Sequence, residues 1–358
     1  MIRTLGLLTL LLFMAPCVVA QDKQSVTEFI AATGVRPGPT PSRDLPGWSG
    51  NPSIYVSGGI SDTAALAAQF PAARFVDADA ADPEVIIGSC PADRIGASSK
   101  LVWVQIFSAG AERCLGVDKL RNGEVLLTNG QKMSAPAIGE HAIAMALSLA
   151  RGLVHYGRSM PEGKWDRDWA RAGGITSVKG KTLLVVGLGG IGSAAAERGK
   201  ALGMRVIATR NSSREGPSYV DYVGLSGEIG DLVADADIII NALPLTSATS
   251  GLFDDDLFAK VKSGAYFINV GRGGTVVTDA LVDALESGVI AGAGLDVTDP
   301  EPLPADHPLW QMTNVIITPH VSWAGYDARL LNILVRENIR RYLAGEPLLN
   351  VVDPDRGY

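Results

Sequence analysis

The chain of 358 residues is 47% hydrophobic and carries 31 Lys and Arg against 38 Asp and Glu, a formal net charge of −7. That length exceeds a typical single domain and that composition supports a sizeable core, so two domains are expected. The acidic balance supplies no positive field to gather phosphate backbones and argues against nucleic acid as a partner.

Residues 1–20 are predicted to be a secretory signal peptide: Arg3 gives a positive start, Leu5 to Met14 an apolar run, and Val18-Val19-Ala20 a small-residue cleavage site before Gln21. Export to the periplasm or the medium is therefore expected, with a cytoplasmic location the alternative. The apolar run is short for a bilayer span of about 20 residues, so membrane attachment follows only if the signal stays uncleaved. Cys17 belongs to this signal, which leaves Cys90 and Cys114 in the mature chain. Two cysteines make no framework, and buried free thiols are favoured over a disulfide.

Residues 21–51 are polar and turn-rich, with GVRPGPTPSRDLPGWSG after a short helical TEFIAATG, and read as a linker or surface arm. Residues 52–154 follow as the first part of one domain, with strands in SIYVS, EVIIGS, LVWVQIF and EVLLTN. Strands alternating with helical patterns imply a parallel sheet. A long helix from Ala137 to about His155 leads out of this domain. After a loop with Trp165 and Trp169 a second α/β unit spans 155–321, with strands in TLLVV, MRVIAT, ADIIINA, AYFINVG, AGAGLDV and NVIITP. Residues 322–358 return to the first domain through a helix of about Ala324 to Leu343, with no strand expected after it.

The strand before Gly187-Leu188-Gly189-Gly190-Ile191-Gly192 and the helical AAAERGKALG after it make a dinucleotide fingerprint. Gly187 permits the tight turn, Gly189 lets backbone approach a pyrophosphate, and Gly192 lets helix and strand pack. Gly190 and Ile191 open the helix whose amides face the phosphates. NAD sites usually end the next strand on an acid for the ribose 2′-hydroxyl. Here Arg210 stands there, followed by Asn211, Ser212, Ser213 and Arg214, so NADP(H) is the expected cofactor and NAD(H) the alternative.

The stretches NALPLTSATSGLF, AYFINVGRGGTVVTDALVDAL, GAGLDVTDPEPLPADHPLW and NVIITPHVSWAG, in that order, resemble the D-isomer-specific 2-hydroxyacid dehydrogenase family over nearly all of residues 53–350. The resemblance implies a Rossmann NAD(P)-binding domain inserted in a flavodoxin-like substrate domain, with the active site in the cleft, and a homodimer. It places the catalytic set on Arg272, Glu301 and His320. Cofactor contacts fall on Leu243 and Pro244, with Thr246 nearby, on Val270 and Gly271, and on Asp296 for the nicotinamide carboxamide. FSAGAERC resembles the family's substrate loop, where amides near Ala109 and Gly110 join Arg272 in binding the substrate carboxylate.

The chemistry fits these residue types. An Arg fork holds a carboxylate bidentately and polarises the adjacent carbonyl. His320 donates the proton to the carbonyl oxygen as NADPH delivers hydride, and a carboxylate partner, Glu301, favours its protonated form. Trp323 either walls the substrate pocket or fills the domain junction. Glu140 and His141 match a family pattern without an assigned role, and no residue is assigned to a metal.

The implied activity is reduction of a small 2-keto acid, with glyoxylate or hydroxypyruvate the best fits. Glu301 stands where formate dehydrogenases of this superfamily have Gln, which disfavours formate. The lack of a regulatory domain after residue 350 argues against the longer phosphoglycerate dehydrogenases. The competing class is a nucleotide-binding sensor on the same fold, of the kind found among transcriptional corepressors. The predicted signal and the acidic charge oppose it.

Overall fold

The computed structural model describes residues 25–58, 63–78 and 82–357. The predicted signal and Cys17 lie outside them. Two compact units emerge: one runs to Ser108 and resumes at Gly116–Met133 and Asp327–Val352, and the other comprises Ala109–Leu115, Ser134–Tyr326 and the tail from Asp353.

The first unit opens with helical residues 25–33 and the strand β1 (Pro37–Pro41). Its sheet is parallel and five-stranded, built from β2 (Ser53–Val56), β3 (Arg74–Val76), β4 (Val85–Gly88), β5 (Trp103–Ile106) and β6 (Leu126–Thr128) in the order β3-β2-β4-β5-β6. Numbered from β2, this is the flavodoxin-like strand order. Its central strands β4 and β5 are buried throughout, as expected where both faces are covered. Sequence periodicity misses β3, whose RFV is too short and too exposed to show a pattern.

The second unit holds β7 (Thr182–Val186), β8 (Arg205–Arg210), β9 (Tyr222–Leu225), β10 (Ile238–Asn241), β11 (Ala265–Asn269), β12 (Ile290–Leu295) and β13 (Val315–Ile317) in one parallel sheet. Its order, β13-β12-β11-β10-β7-β8-β9, is the Rossmann order with one strand added at the edge. Apolar side chains from both faces make the core, among them Leu184, Ile239 and Phe267 on one side and Leu183, Val185 and Ile240 on the other.

Three sequence expectations change. The long helix, Ala135–Ala150, belongs to this second unit, not the first: Gly139 lies against Ala194 of the helix Gly190–Ala201, at a distance that only a missing side chain permits. Periodicity identified the helix but could not say which sheet it covers. The arm is no loose linker either. β1 pairs antiparallel with a strand that was not anticipated, β14 (Pro347–Leu349), which follows the terminal helix Ala328–Leu343. Buried Ser42 and the Trp48 indole donate to the Tyr342 carbonyl. Proline-rich edge strands carry little periodic signal, and these bonds join residues far apart in sequence. Finally, Cys90 and Cys114 are disulfide-bonded instead of free thiols.

Candidate active site

The cofactor and catalytic residues belong to the second unit and stand at or beyond the C-terminal ends of its strands, where open α/β sheets bind ligands. After β7 the chain turns at Gly187, whose φ of 98° lies in the left-handed region. A Cβ on Gly192 would overlap the Gly187 carbonyl, whereas one on Gly189 would meet open space. Gly187 and Gly192 build the turn between strand and helix; Gly189 leaves its outer face clear for a ligand. Gly190 and Ile191 begin the twelve-residue helix Gly190–Ala201, whose first N–H groups have no carbonyl within the helix. This cradle fits a pyrophosphate.

Arg210 closes β8 and gives one N–H to the Glu215 carbonyl at 3.0 Å. Among the described residues it makes no ion pair. Arg214 differs: its guanidinium meets Glu228 at 2.8 Å. The Leu225 N–H, the Tyr222 hydroxyl and Arg214 together hold the Glu228 carboxyl at about 2, so Arg214 is neutralised where it stands. Ser212 is exposed in the same loop.

Leu243 and Pro244 follow β10, and Val270 and Gly271 follow β11. Their loops touch: a Cβ on Gly271 would come within 2.6 Å of the Leu243 carbonyl, and one on Gly187 within 3.1 Å of the Leu243 side chain. Beneath them lies a buried polar network that the sequence reading missed. Asn241 donates to Asn269 at 3.1 Å and to the Thr275 hydroxyl at 2.7 Å, while Asn269 and Thr275 both donate to the Arg272 carbonyl. Buried amides and hydroxyls are retained only when satisfied, and here they fix the backbone that carries Arg272.

The Arg272 side chain does not present the open fork expected of it. Its Nε donates to Glu112 Oε1 at 3.0 Å and its Nη1 to the Gly271 carbonyl at 2.7 Å. Nη2 lies over Gly110, where a Cβ would overlap it. The structure thus brings Gly110, and with it the Ala109–Leu115 segment, to Arg272. Glu112 had no predicted role, and only three-dimensional proximity across 160 residues of sequence reveals it.

His320 follows β13 with φ of 53°, and its Nδ1 meets Glu301 Oε1 at 2.7 Å, both side chains being about two-fifths exposed. A carboxylate accepts here, so Nδ1 carries the proton and Nε2 points away from Glu301. Asp296 holds this turn. Its carbonyl accepts the His320 N–H, and its buried carboxylate accepts from the Thr318 hydroxyl at 2.6 Å and from the Val321 and Ser322 N–H groups. Thr318 spends its one proton on Asp296, so His141 donates through Nε2 to the Thr318 oxygen at 3.0 Å. His141 thereby acquires a place. Trp323 caps the His320 carbonyl with its indole N–H at 2.9 Å. A separate concavity of about 320 Å³, lined by His155, Arg158, Trp169 and Tyr266, shares no residue with this set.

The family profile for the NAD binding domain of D-isomer specific 2-hydroxyacid dehydrogenases matches residues 143–322. A hydroxypyruvate reductase of Blautia hydrogenotrophica is 33% identical over 276 residues, covering 76% of this chain and 82% of that one. A D-isomer specific 2-hydroxyacid dehydrogenase from Xanthobacter autotrophicus Py2, solved with NADPH and MES, has a TM-score of 0.74 at 30% identity, covering 86% of this chain and 100% of that one. An NADPH-dependent glyoxylate/hydroxypyruvate reductase from Sinorhizobium meliloti, solved with NADP and sulfate, has a TM-score of 0.73 at 27% identity, over 86% and 99% of the two chains.

Proposed function

The chain belongs to the D-isomer-specific 2-hydroxyacid dehydrogenase family, oxidoreductases that use a nicotinamide cofactor, and we propose that it reduces a small 2-keto acid to the D-2-hydroxy acid with NADPH. The observation that carries this reading is the His320–Glu301 pair on the loops after β13 and β12, beside the loop after β11 that carries Arg272 and at the same end of the sheet as the dinucleotide cradle after β7.

When bound, the nicotinamide supplies hydride to the carbonyl carbon. Gly187, Gly189 and Gly192 with the N–H groups of Gly190 and Ile191 hold the pyrophosphate, and Leu243, Pro244, Val270 and Gly271 line the cofactor's course. Arg272 Nη2, with amides at Ala109 and Gly110, holds the substrate carboxylate and draws density from the carbonyl. His320 gives its Nε2 proton to the carbonyl oxygen and recovers it in the reverse direction, while Glu301 keeps the ring oriented through Nδ1. Asp296 still has acceptor capacity on Oδ2 for a carboxamide N–H beside its structural bonds. Arg210, which among the described residues makes no ion pair, supports NADPH over NADH through a 2′-phosphate. The relatives' names support glyoxylate and hydroxypyruvate as substrates.

Two further expectations belong to the proposal. Export is supported by the pattern of residues 1–20 and by the disulfide-bonded state of Cys90 and Cys114, which suits an oxidising compartment. A homodimer is supported by Leu153, Met160 and Trp165, apolar side chains that one short segment leaves exposed.

The test is oxidation of NADPH and of NADH by the purified protein with glyoxylate, hydroxypyruvate and pyruvate in turn, beside Arg272→Ala. Turnover that the variant loses supports the dehydrogenase. A folded protein that binds nucleotide and turns over none of these acids supports the sensor reading instead.

A further inference from the structure

The Arg272 guanidinium, the cation assigned to the substrate carboxylate, shares its place with a resident anion. Glu112 Oε1 accepts from Nε at 3.0 Å, and both side chains are about three-tenths exposed. Arg272 Nη2 and Glu112 Oε2 converge on the same face of Gly110: a Cβ there would strike both. Glu112 therefore stands within the loop that receives the substrate carboxylate and is not a remote support.

Charge follows from that placement. Arg272 contributes one positive charge and Glu112 one negative charge, while His320 with Glu301 balances itself when the ring is protonated and the Asp296 carboxylate beside His141 adds a further negative charge. A single substrate carboxylate is still held, because the directed N–H donors of Arg272 Nη2 outweigh a diffuse net charge. A second anionic group on the substrate lies close to Glu112, where like charges in a partly screened site repel.

The geometry points to Glu112 as a specificity-determining residue, one that restricts the substrate to 2-keto acids with a single negative charge and disfavours those with a second carboxylate or a phosphate. This rests on the reading of the chain as a 2-keto acid reductase.

The test compares kcat and KM for pyruvate and for oxaloacetate in the full-length protein and in Glu112→Gln, which keeps an acceptor for Arg272 Nε without the charge, with Glu112→Asp as the conservative control. In Glu112→Gln the ratio of kcat/KM for oxaloacetate to that for pyruvate rises about tenfold or more, chiefly through a lower KM for the diacid. Glu112→Asp keeps the wild-type ratio. An unchanged ratio in Glu112→Gln, or an equal fall in kcat for both acids, overturns the inference and leaves Glu112 as a support for Arg272 alone. Wild type that reduces no 2-keto acid overturns the function itself and the inference with it, so the two failures are told apart.

Discussion

Nδ1 of His320 lies 2.7 Å from Oε1 of Glu301, although the two side chains come from loops nineteen residues apart. With the ring oriented through Nδ1, Nε2 is the atom that reaches the reacting oxygen. His320→Asn removes the proton donor, and kcat falls by about 10²–10⁴ while the affinity for NADPH holds. Glu301→Gln keeps an acceptor beside Nδ1 but not its charge, so a smaller loss, on the order of tenfold, is expected. Steady-state kinetics with cofactor affinity measured by fluorescence separates the two effects.

Gly110→Ala sets a methyl group against the ends of two flexible side chains, Arg272 Nη2 and Glu112 Oε2, and not against backbone. The fold absorbs the change and the site does not. Thermal unfolding should stay within about 0.5 kcal/mol of wild type, the range of substitutions that leave the packing intact. The KM for the keto acid rises because Arg272 is pushed from its position. A large loss of stability would show that the loop's backbone, not Arg272, is what meets Gly110.

Cofactor preference separates Arg210 from Arg214 of the same loop. Arg214 is occupied by Glu228 and Arg210 is not paired among the described residues. Arg210→Ala lowers the ratio of kcat/KM for NADPH over NADH by about tenfold or more, the worth of a charge-assisted contact to phosphate. Arg214→Ala lowers it less. Equal effects would place the 2′-phosphate between the two side chains.

Acid stability is expected to run through Asp237, at the far end of the same sheet. Burial pushes its carboxyl up, but Lys262 at 2.8 Å, the Thr182 N–H at 2.8 Å and Lys181 at 3.4 Å outweigh burial and leave it below the usual carboxylate value. A depressed carboxylate stabilises the fold above its unfolded value and loses that contribution as pH falls through the folded one. Asp237→Asn therefore costs about 1–3 kcal/mol near neutrality. In urea titrations the gap to wild type narrows below about pH 4. A gap that is constant from neutral to acid would mean that the carboxylate's charge has no part in it.

Much of the second unit is written locally. The glycines of the fingerprint, the apolar strands and the residues at their ends follow one another in sequence, so Gly187, Arg210, Leu243, Arg272, Asp296 and His320 could be placed on one sheet edge before any coordinates. What escaped depends on distance. Glu112 meets Arg272 only because the Ala109–Leu115 segment folds with the second unit. His141 gains its role through Thr318, 177 residues away. Asn241, Asn269 and Thr275 read as strand-end polar residues until the structure shows them holding the Arg272 backbone. The arm failed for another reason: proline and glycine suppress the pattern that announces a strand, so the pairing of β1 with β14 left no local trace.

The proposed reduction is hydride transfer to the carbonyl carbon of a 2-keto acid, with His320 supplying the proton. The most direct test follows deuterium from C4 of labelled NADPH during reduction of hydroxypyruvate and determines the configuration of the product. Deuterium is expected at C2 of D-glycerate from the wild-type protein, with the same label at a much lower rate from His320→Asn. Product without the label, or of the L configuration, would contradict it.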